Sequence, residues 1–382
     1  MPTGDALAHT KACEAMLHNE IEKAQGWLSF ARFMALALYA PGLGYYAAGA
    51  RKFGAEGDFV TAPEISALFG QCLAVSIADV LLQTSGDVLE LGPGSGKLAK
   101  DILLALDAAG TLPNKYYLLE VSADLQARQR AAIATLPSHL ASRAVWLDQL
   151  PKNFTGVIVA NEVLDVIPVH LARFSSGRIV ERGVVVKEGA FAWQDSPVVP
   201  HDLVRPLALI QRAYLHDAPP EGYVTEVAPA VAALVLSLAE SMAKGAMLFI
   251  DYGFRGAEFY HPSRSSGTLM CHYRHYAHTD PFRYPGLTDI TAHVDFTAVA
   301  DAGVAAGLDL LGYTTQANFL LASGLTDRLQ AENQIEYLSL TNQVQRLVSP
   351  AEMGEFFKVI GFGKGLSGTT INAFDHARAL PL

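Results

Sequence analysis

The chain has 382 residues, 51% hydrophobic and 17% charged, enough apolar material for one enlarged domain or a core carrying insertions. A formal net charge of -10 at pH 7 argues against an extended nucleic-acid-binding surface, which needs an excess of Lys and Arg. The cysteines Cys13, Cys72 and Cys271 are far apart and odd in number, so they suggest neither a disulfide framework nor a zinc cluster and fit a reducing compartment. The start, Met1-Pro2-Thr3-Gly4-Asp5, lacks a basic stretch followed by an apolar run and lacks an Arg-rich transit pattern, so a cytoplasmic location is expected. Gly, Pro or charge interrupts the most apolar windows, so no membrane-inserted segment is expected.

Residues 9–33 read as a helix, with Ile21, Leu28 and Phe33 among its apolar positions. Residues 41–46 are a turn-rich loop, and a helix is expected over about 68–83. From Asp87 the pattern alternates. Strands are expected at 88–91, 116–120, 144–147 and 156–160, with helices at 97–108 and 123–135 between them. The continuous apolar run at 156–160 suits a central parallel strand. The alternation lapses over 170–193, which reads as antiparallel strands. It resumes with a helix at 230–243 and a strand at 246–250. A long loop rich in Tyr, His and Arg follows over 254–291, and such loops are usually functional or mobile. A helix at 296–306, a strand at 308–313, helices near 329–347 and 351–357 and a strand at 358–363 complete the chain. The expectation is an α/β, doubly wound, Rossmann-like core over 85–382. It has insertions at about 170–225 and 254–293, and a helical, lid-forming extension over 1–84.

The most informative stretch is Leu89-Glu90-Leu91-Gly92-Pro93-Gly94-Ser95-Gly96-Lys97. A strand ends in an acid, passes three alternating glycines and opens a helix. Glycine lets the backbone turn sharply and approach a ligand closely. The helix start offers free N–H groups and partial positive charge. The spacing is G-x-G-x-G and not the G-x-G-x-x-G of dinucleotide binders, which disfavours a nicotinamide-dependent dehydrogenase. With Glu90 before it, it resembles the first motif of class I S-adenosylmethionine methyltransferases. Glu120 closes the second strand on the order of 20 residues further on, where a carboxylate can accept both ribose hydroxyls.

Longer phrases resemble one family within that class. They are Leu38-Tyr39-Ala40-Pro41-Gly42-Leu43-Gly44-Tyr45-Tyr46, Gly57-Asp58-Phe59-Val60-Thr61-Ala62-Pro63-Glu64-Ile65-Ser66, Asn161-Glu162-Val163-Leu164-Asp165 and Asp289-Ile290-Thr291-Ala292-His293-Val294-Asp295-Phe296. Together they resemble the MidA family of S-adenosylmethionine-dependent methyltransferases over about 30–363. The resemblance implies S-adenosyl-L-methionine as cofactor. Mitochondrial members assist respiratory complex I assembly and methylate an arginine on one of its subunits, so a protein substrate is implied. The alternatives are methylation of a small molecule, or a cofactor-binding assembly factor without turnover. No nucleic-acid partner is expected, and monomer and homodimer both remain open.

Candidate roles follow. Gly92, Gly94 and Gly96 would cradle the cofactor, and Glu90 would hold that loop or reach the amino group of its methionine end. Asp148, after the third strand, would accept from the adenine amino group, with Gln149 as an alternative. Thr61 and Ser66 would close over the methionine end or simply cap a helix. Asn161, Glu162 and Asp165 fall beside the reactive methyl. For a guanidinium acceptor, carboxylates hold a planar cation and orient one nitrogen. The rival role for Asp165 is a helix cap. His272, His275 and His278 lack the carboxylate or cysteine frame of a metal site, and no metal is expected. No Ser-His-Asp or Cys-His arrangement stands out.

Overall fold

A computed structural model describes residues 2, 4–47, 60–216, 218–366 and 371–382. The Gly57-Asp58-Phe59 part of the family phrases lies outside them. The largest sheet runs, edge to edge, through Asp309–Thr315, Phe357–Lys364, Met242–Phe254, Phe154–Asn161, Asp87–Leu91, Tyr116–Leu119 and Ala144–Leu147. The last five pair in parallel, whereas Phe357–Lys364 is antiparallel to both of its neighbours. Asp87–Leu91 comes first in the chain yet sits inside the sheet. The chain builds outward from it through Tyr116–Leu119 and Ala144–Leu147, then crosses back to Phe154–Asn161 on its other side. That reversal opens a crevice at the carboxyl ends of Asp87–Leu91 and Phe154–Asn161, where doubly wound sheets bind ligands.

Both faces of this sheet are covered, which is why its central strands read as unbroken apolar runs. One face packs against Ala67–Thr84, Lys97–Ala108 and Gln316–Ala322 through Ile77, Ile102 and Phe319. The other packs against Pro229–Ser241 and Phe296–Ala305 through Val235, Leu238 and Val299. Ala67–Thr84 is long and apolar enough to cross a membrane by length and composition. Here its apolar residues, Leu73, Ile77 and Val80 among them, are buried against the sheet.

The insertions differ from the sequence reading. Residues 9–33 are not one helix. Gly4–Lys23 ends at Gln25 and Gly26, both at positive φ (60° and 87°). The short strand Leu28–Ser29 and the helix Phe30–Tyr39 follow. Leu28–Ser29 joins the antiparallel sheet of Arg178–Lys187, His170–Ser175, Val224–Val227 and Ala190–Ser196. The stretch 254–291 is not without regular structure. It contains a three-stranded sheet of Tyr276–His278, Met270–Tyr273 and Asp289–Thr291. Its hairpin turns on Arg274 and His275, both at positive φ, the geometry of a two-residue primed turn. The aromatic cluster of Phe30, Phe33, Phe191, Trp193 and Phe282 joins the N-terminal helices to both inserted sheets.

Candidate active site

A cavity of about 650 Å³ opens at the crevice, a volume within the range of small-molecule sites. One wall is backbone. Gly92, Gly94 and Gly96 all adopt left-handed conformations, with φ of 58°, 55° and 82°. A Cβ at Gly96 would stand 3.1 Å from Cα of Gln129, so this turn has no room for a side chain there. Gly92 and Gly94 line the cavity, while Gly96 caps the helix Lys97–Ala108. Glu64 also lines the cavity and accepts a hydrogen bond from the Ser95 hydroxyl. That bond ties the short helix Ala62–Ile65 to the glycine turn.

Fully buried Gln129 organises this wall. Its Nε2 donates to the Gly94 carbonyl and to Glu120 Oε2, both at 3.0 Å, and its Oε1 accepts from Trp146 Nε1 at 2.9 Å. Glu120 Oε1 also accepts from the Ser122 N–H at 2.8 Å. The carboxylate is thereby fixed in orientation on the cavity wall. Glu90 Oε2 accepts from the Tyr116 hydroxyl at 2.6 Å. Burial raises Glu90 to a pKa of about 7, with the Tyr116 bond opposing.

The facing wall is the turn after Phe154–Asn161. Glu162 holds φ 52°, a conformation that costs a non-glycine residue on the order of 1 kcal/mol or more. The turn is pinned from several sides. The Glu162 N–H donates to the Ile250 carbonyl at 2.9 Å. Asp251 Oδ2 accepts from the N–H groups of Val163, Leu164 and Asp165 at 3.2, 2.8 and 3.3 Å. Tyr39 donates to the Val166 carbonyl at 2.9 Å, and the Ala292 N–H donates to the Asp165 carbonyl at the same distance.

Three of the predicted residues converge on this wall. Asn161 Nδ2 donates to Glu162 Oε1 at 3.2 Å, and Asn161 Oδ1 is a buried acceptor with no hydrogen-bond partner among the described residues. Glu162 is raised to a pKa of about 8, first by burial and then by the charge of Asp165. Burial raises Asp165 to about 6, against a hydrogen bond from Tyr252. Asp165 does not cap a helix; its side chain lines the cavity. His293, also on the wall, is pushed down to about 4 by burial and is neutral at pH 7.

Thr61 lines the cavity and makes no cap hydrogen bond. Ser66 instead caps Ala67–Thr84, accepting from the Leu68 N–H at 3.3 Å, and is outside the lining. Asp148 and Gln149 are exposed and also outside it. Of the three histidines, His272 reaches the wall, and His275 sits exposed at the hairpin turn. Among the described residues no group of His, Cys, Asp and Glu could hold a metal ion. Sequence reasoning missed Gln129, Asp251 and Asp289, because each acts through partners distant in the chain. The strand-end position of Asp251 and the place of Asp289 at the head of a family phrase were the local signals.

The lining carries Glu64, Glu90, Glu120, Glu162, Asp165 and Asp289, and among the described residues no Lys or Arg. Such a cavity suits a cationic guest. S-Adenosylmethionine fits it. The glycine turn, the oriented Glu120 carboxylate and the orphan Asn161 acceptor match its nucleoside and amino-acid ends, and the acids match its positive sulfur.

Comparison with known proteins agrees. A family model of S-adenosyl-L-methionine-dependent methyltransferases matches residues 72–314. The chain belongs to that family. A crystal structure from Burkholderia thailandensis, bound to S-adenosyl-homocysteine, is 48% identical and superposes with a TM-score of 0.92, covering 99% of this chain and 98% of that one. The rat protein arginine methyltransferase NDUFAF7, mitochondrial, is 30% identical over 88% of this chain and 80% of its own length. The Caenorhabditis elegans homologue of that enzyme is 28% identical over 82% and 76%. The chain is thus a methyltransferase with a Rossmann-like core, and S-adenosylmethionine is its methyl donor.

Proposed function

We propose that the enzyme methylates an arginine nitrogen of a protein. The observation that carries this reading is the tyrosine-lined cavity wall facing the glycine turn, which carries Glu162, Asp165 and Asp289 and, among the described residues, no Lys or Arg. The relatives named as protein arginine methyltransferases support it.

In this reading Gly92 and Gly94 admit the cofactor backbone to backbone, and Glu120 accepts from its ribose hydroxyls. Glu90, tethered by Tyr116, and the Asn161 acceptor serve the amino-acid end. S-Adenosylmethionine supplies a methyl group activated by positive sulfur. Glu162 and Asp165 hold the guanidinium and turn one nitrogen toward that methyl, so orientation supplies most of the acceleration. As the N–C bond forms, the S–C bond breaks and the nitrogen sheds a proton. Glu162, with an affinity for protons near neutrality, takes it. The half-buried tyrosines and the neutral His293 line the wall beside the carboxylates and bring no competing charge to it.

The test is transfer of labelled methyl from S-adenosylmethionine into lysate proteins from cells lacking the gene, followed by acid hydrolysis and amino-acid analysis. Label in methylarginine supports the reading. Label confined to small molecules, or to another residue, refutes it.

A further inference from the structure

Asp289 lies in the main cavity but outside the Asn161–Asp165 turn. It opens the strand Asp289–Thr291 of the inserted three-stranded sheet and is 1% exposed. The Tyr46 hydroxyl donates to Asp289 Oδ1 at 3.1 Å. Tyr46 in turn stacks on Tyr39, with ring centroids 5.6 Å apart and 19° between planes. Tyr45 packs edge-on against Tyr46 at 4.9 Å. Tyr39 is anchored by the Val166 carbonyl. Asp289, Tyr46, Tyr39, Asp165 and Glu162 all line the same cavity. The charge of Asp289 is felt at Glu162, Tyr39 and Tyr46. Burial holds both phenols well above their ordinary pKa, so they stay neutral donors.

These groups arrive on different elements. Glu162 and Asp165 come from the sheet core, Asp289 from an insertion and the tyrosines from the N-terminal region. Carboxylates on separate elements can address separate edges of a planar, many-donor cation, while a tyrosine face accepts its flat side. An ammonium would feel the same charge without that edge-and-face match.

We infer that Asp289, oriented by Tyr46, is a third carboxylate of the acceptor site, beside Glu162 and Asp165, in a subsite walled by the Tyr39–Tyr46 pair, and that it selects a guanidinium over an ammonium. The inference rests on the cationic-acceptor reading above. Asp289 contributes binding energy and discrimination, while proton acceptance stays with Glu162.

The experiment titrates protein saturated with S-adenosyl-homocysteine against capped Gly-Gly-Arg-Gly-Gly and its lysine and citrulline counterparts, by calorimetry. For the wild type the arginine peptide binds about tenfold or more tighter than either counterpart. Asp289→Asn loses about tenfold in arginine-peptide affinity and narrows the preference over citrulline. Tyr46→Phe loses about threefold. Both variants keep wild-type affinity for S-adenosyl-homocysteine, which reports that they are folded. If Asp289→Asn binds the arginine peptide as the wild type does, the subsite is overturned and the arginine reading stands. If the wild type binds lysine or citrulline peptide as well as arginine, or binds none of the three, the subsite and the arginine reading both fall.

Discussion

The two walls of the cavity are built from different materials. The glycine wall is backbone at its turn, shaped by three left-handed glycines and locked by one buried amide, Gln129, with the tethered Glu90 and Glu120 carboxylates beside it. The facing wall is side chain. Its carboxylates and phenols come from widely separated stretches of chain, and one of them, Glu162, sits in a strained conformation. Shape dominates the first wall, and charge and proton affinity dominate the second. Changes to the first should therefore act on cofactor binding, and changes to the second on methyl transfer and on pH dependence.

The largest expected effect is on the glycine wall. Gly94→Val forces a branched side chain into a left-handed position on the cavity surface. Cofactor affinity should fall by about 100-fold or more, read by calorimetry with S-adenosyl-homocysteine. A variant that still binds would mean that the turn is not the cradle. Next is Glu162→Gln, which keeps shape and removes the proton acceptor. We expect kcat to fall about 100-fold, with S-adenosylmethionine affinity changed by about threefold at most. Comparable losses in both would erase the distinction between the walls.

Asp251→Asn tests the support of the acceptor wall from behind. Asp251 is a positioning residue, fully buried, whose carboxylate gathers the N–H groups of the Asn161–Asp165 turn. An amide accepts less strongly, so kcat should fall about tenfold with KM for the cofactor nearly unchanged. A merely structural role would lower Tm and leave kcat per folded molecule intact.

The smallest effect is on stability against pH. Glu162, Glu90 and Asp165 are raised to about 8, 7 and 6. The folded protein therefore holds protons that the unfolded chain has already released. Stability from these groups is present at low pH and is lost as pH rises through those values. His293, pushed down to about 4, is already neutral in the folded protein, while the unfolded chain still holds part of a proton between about pH 6 and 7, so it opposes the fall there without cancelling three raised acids. Without ligand, Tm should fall by about 2–5 °C between pH 6 and pH 8, and Glu162→Gln should flatten the fall. A rise over that interval would contradict the buried-acid description.

What the sequence made legible follows the same division. The glycine turn, the strand ends at Glu90, Glu120 and Asn161, and the helix Lys97–Ala108 announce themselves locally, because turn geometry and hydrophobic period are local. The helix His201–Ala213 escaped notice because Pro206 interrupts its pattern. The short strands Met270–Tyr273, Tyr276–His278 and Asp289–Thr291 escaped because they mix polar and aromatic residues without clear alternation. Asp251 and Gln129 do their work through partners up to 88 and 35 residues away, a relation that no local pattern encodes. Ser66 and Asp148 show the converse. Each stands in a suggestive place in the chain, and folding turns one to a helix cap and leaves the other exposed.

The most direct test is quantitative mass spectrometry of proteomes from cells with the gene, without it, and with the gene restored as wild type or Glu162→Gln. The account predicts a methylarginine site that disappears on deletion, returns with the wild type and stays absent with Glu162→Gln. Identical arginine methylation in all four strains would contradict it.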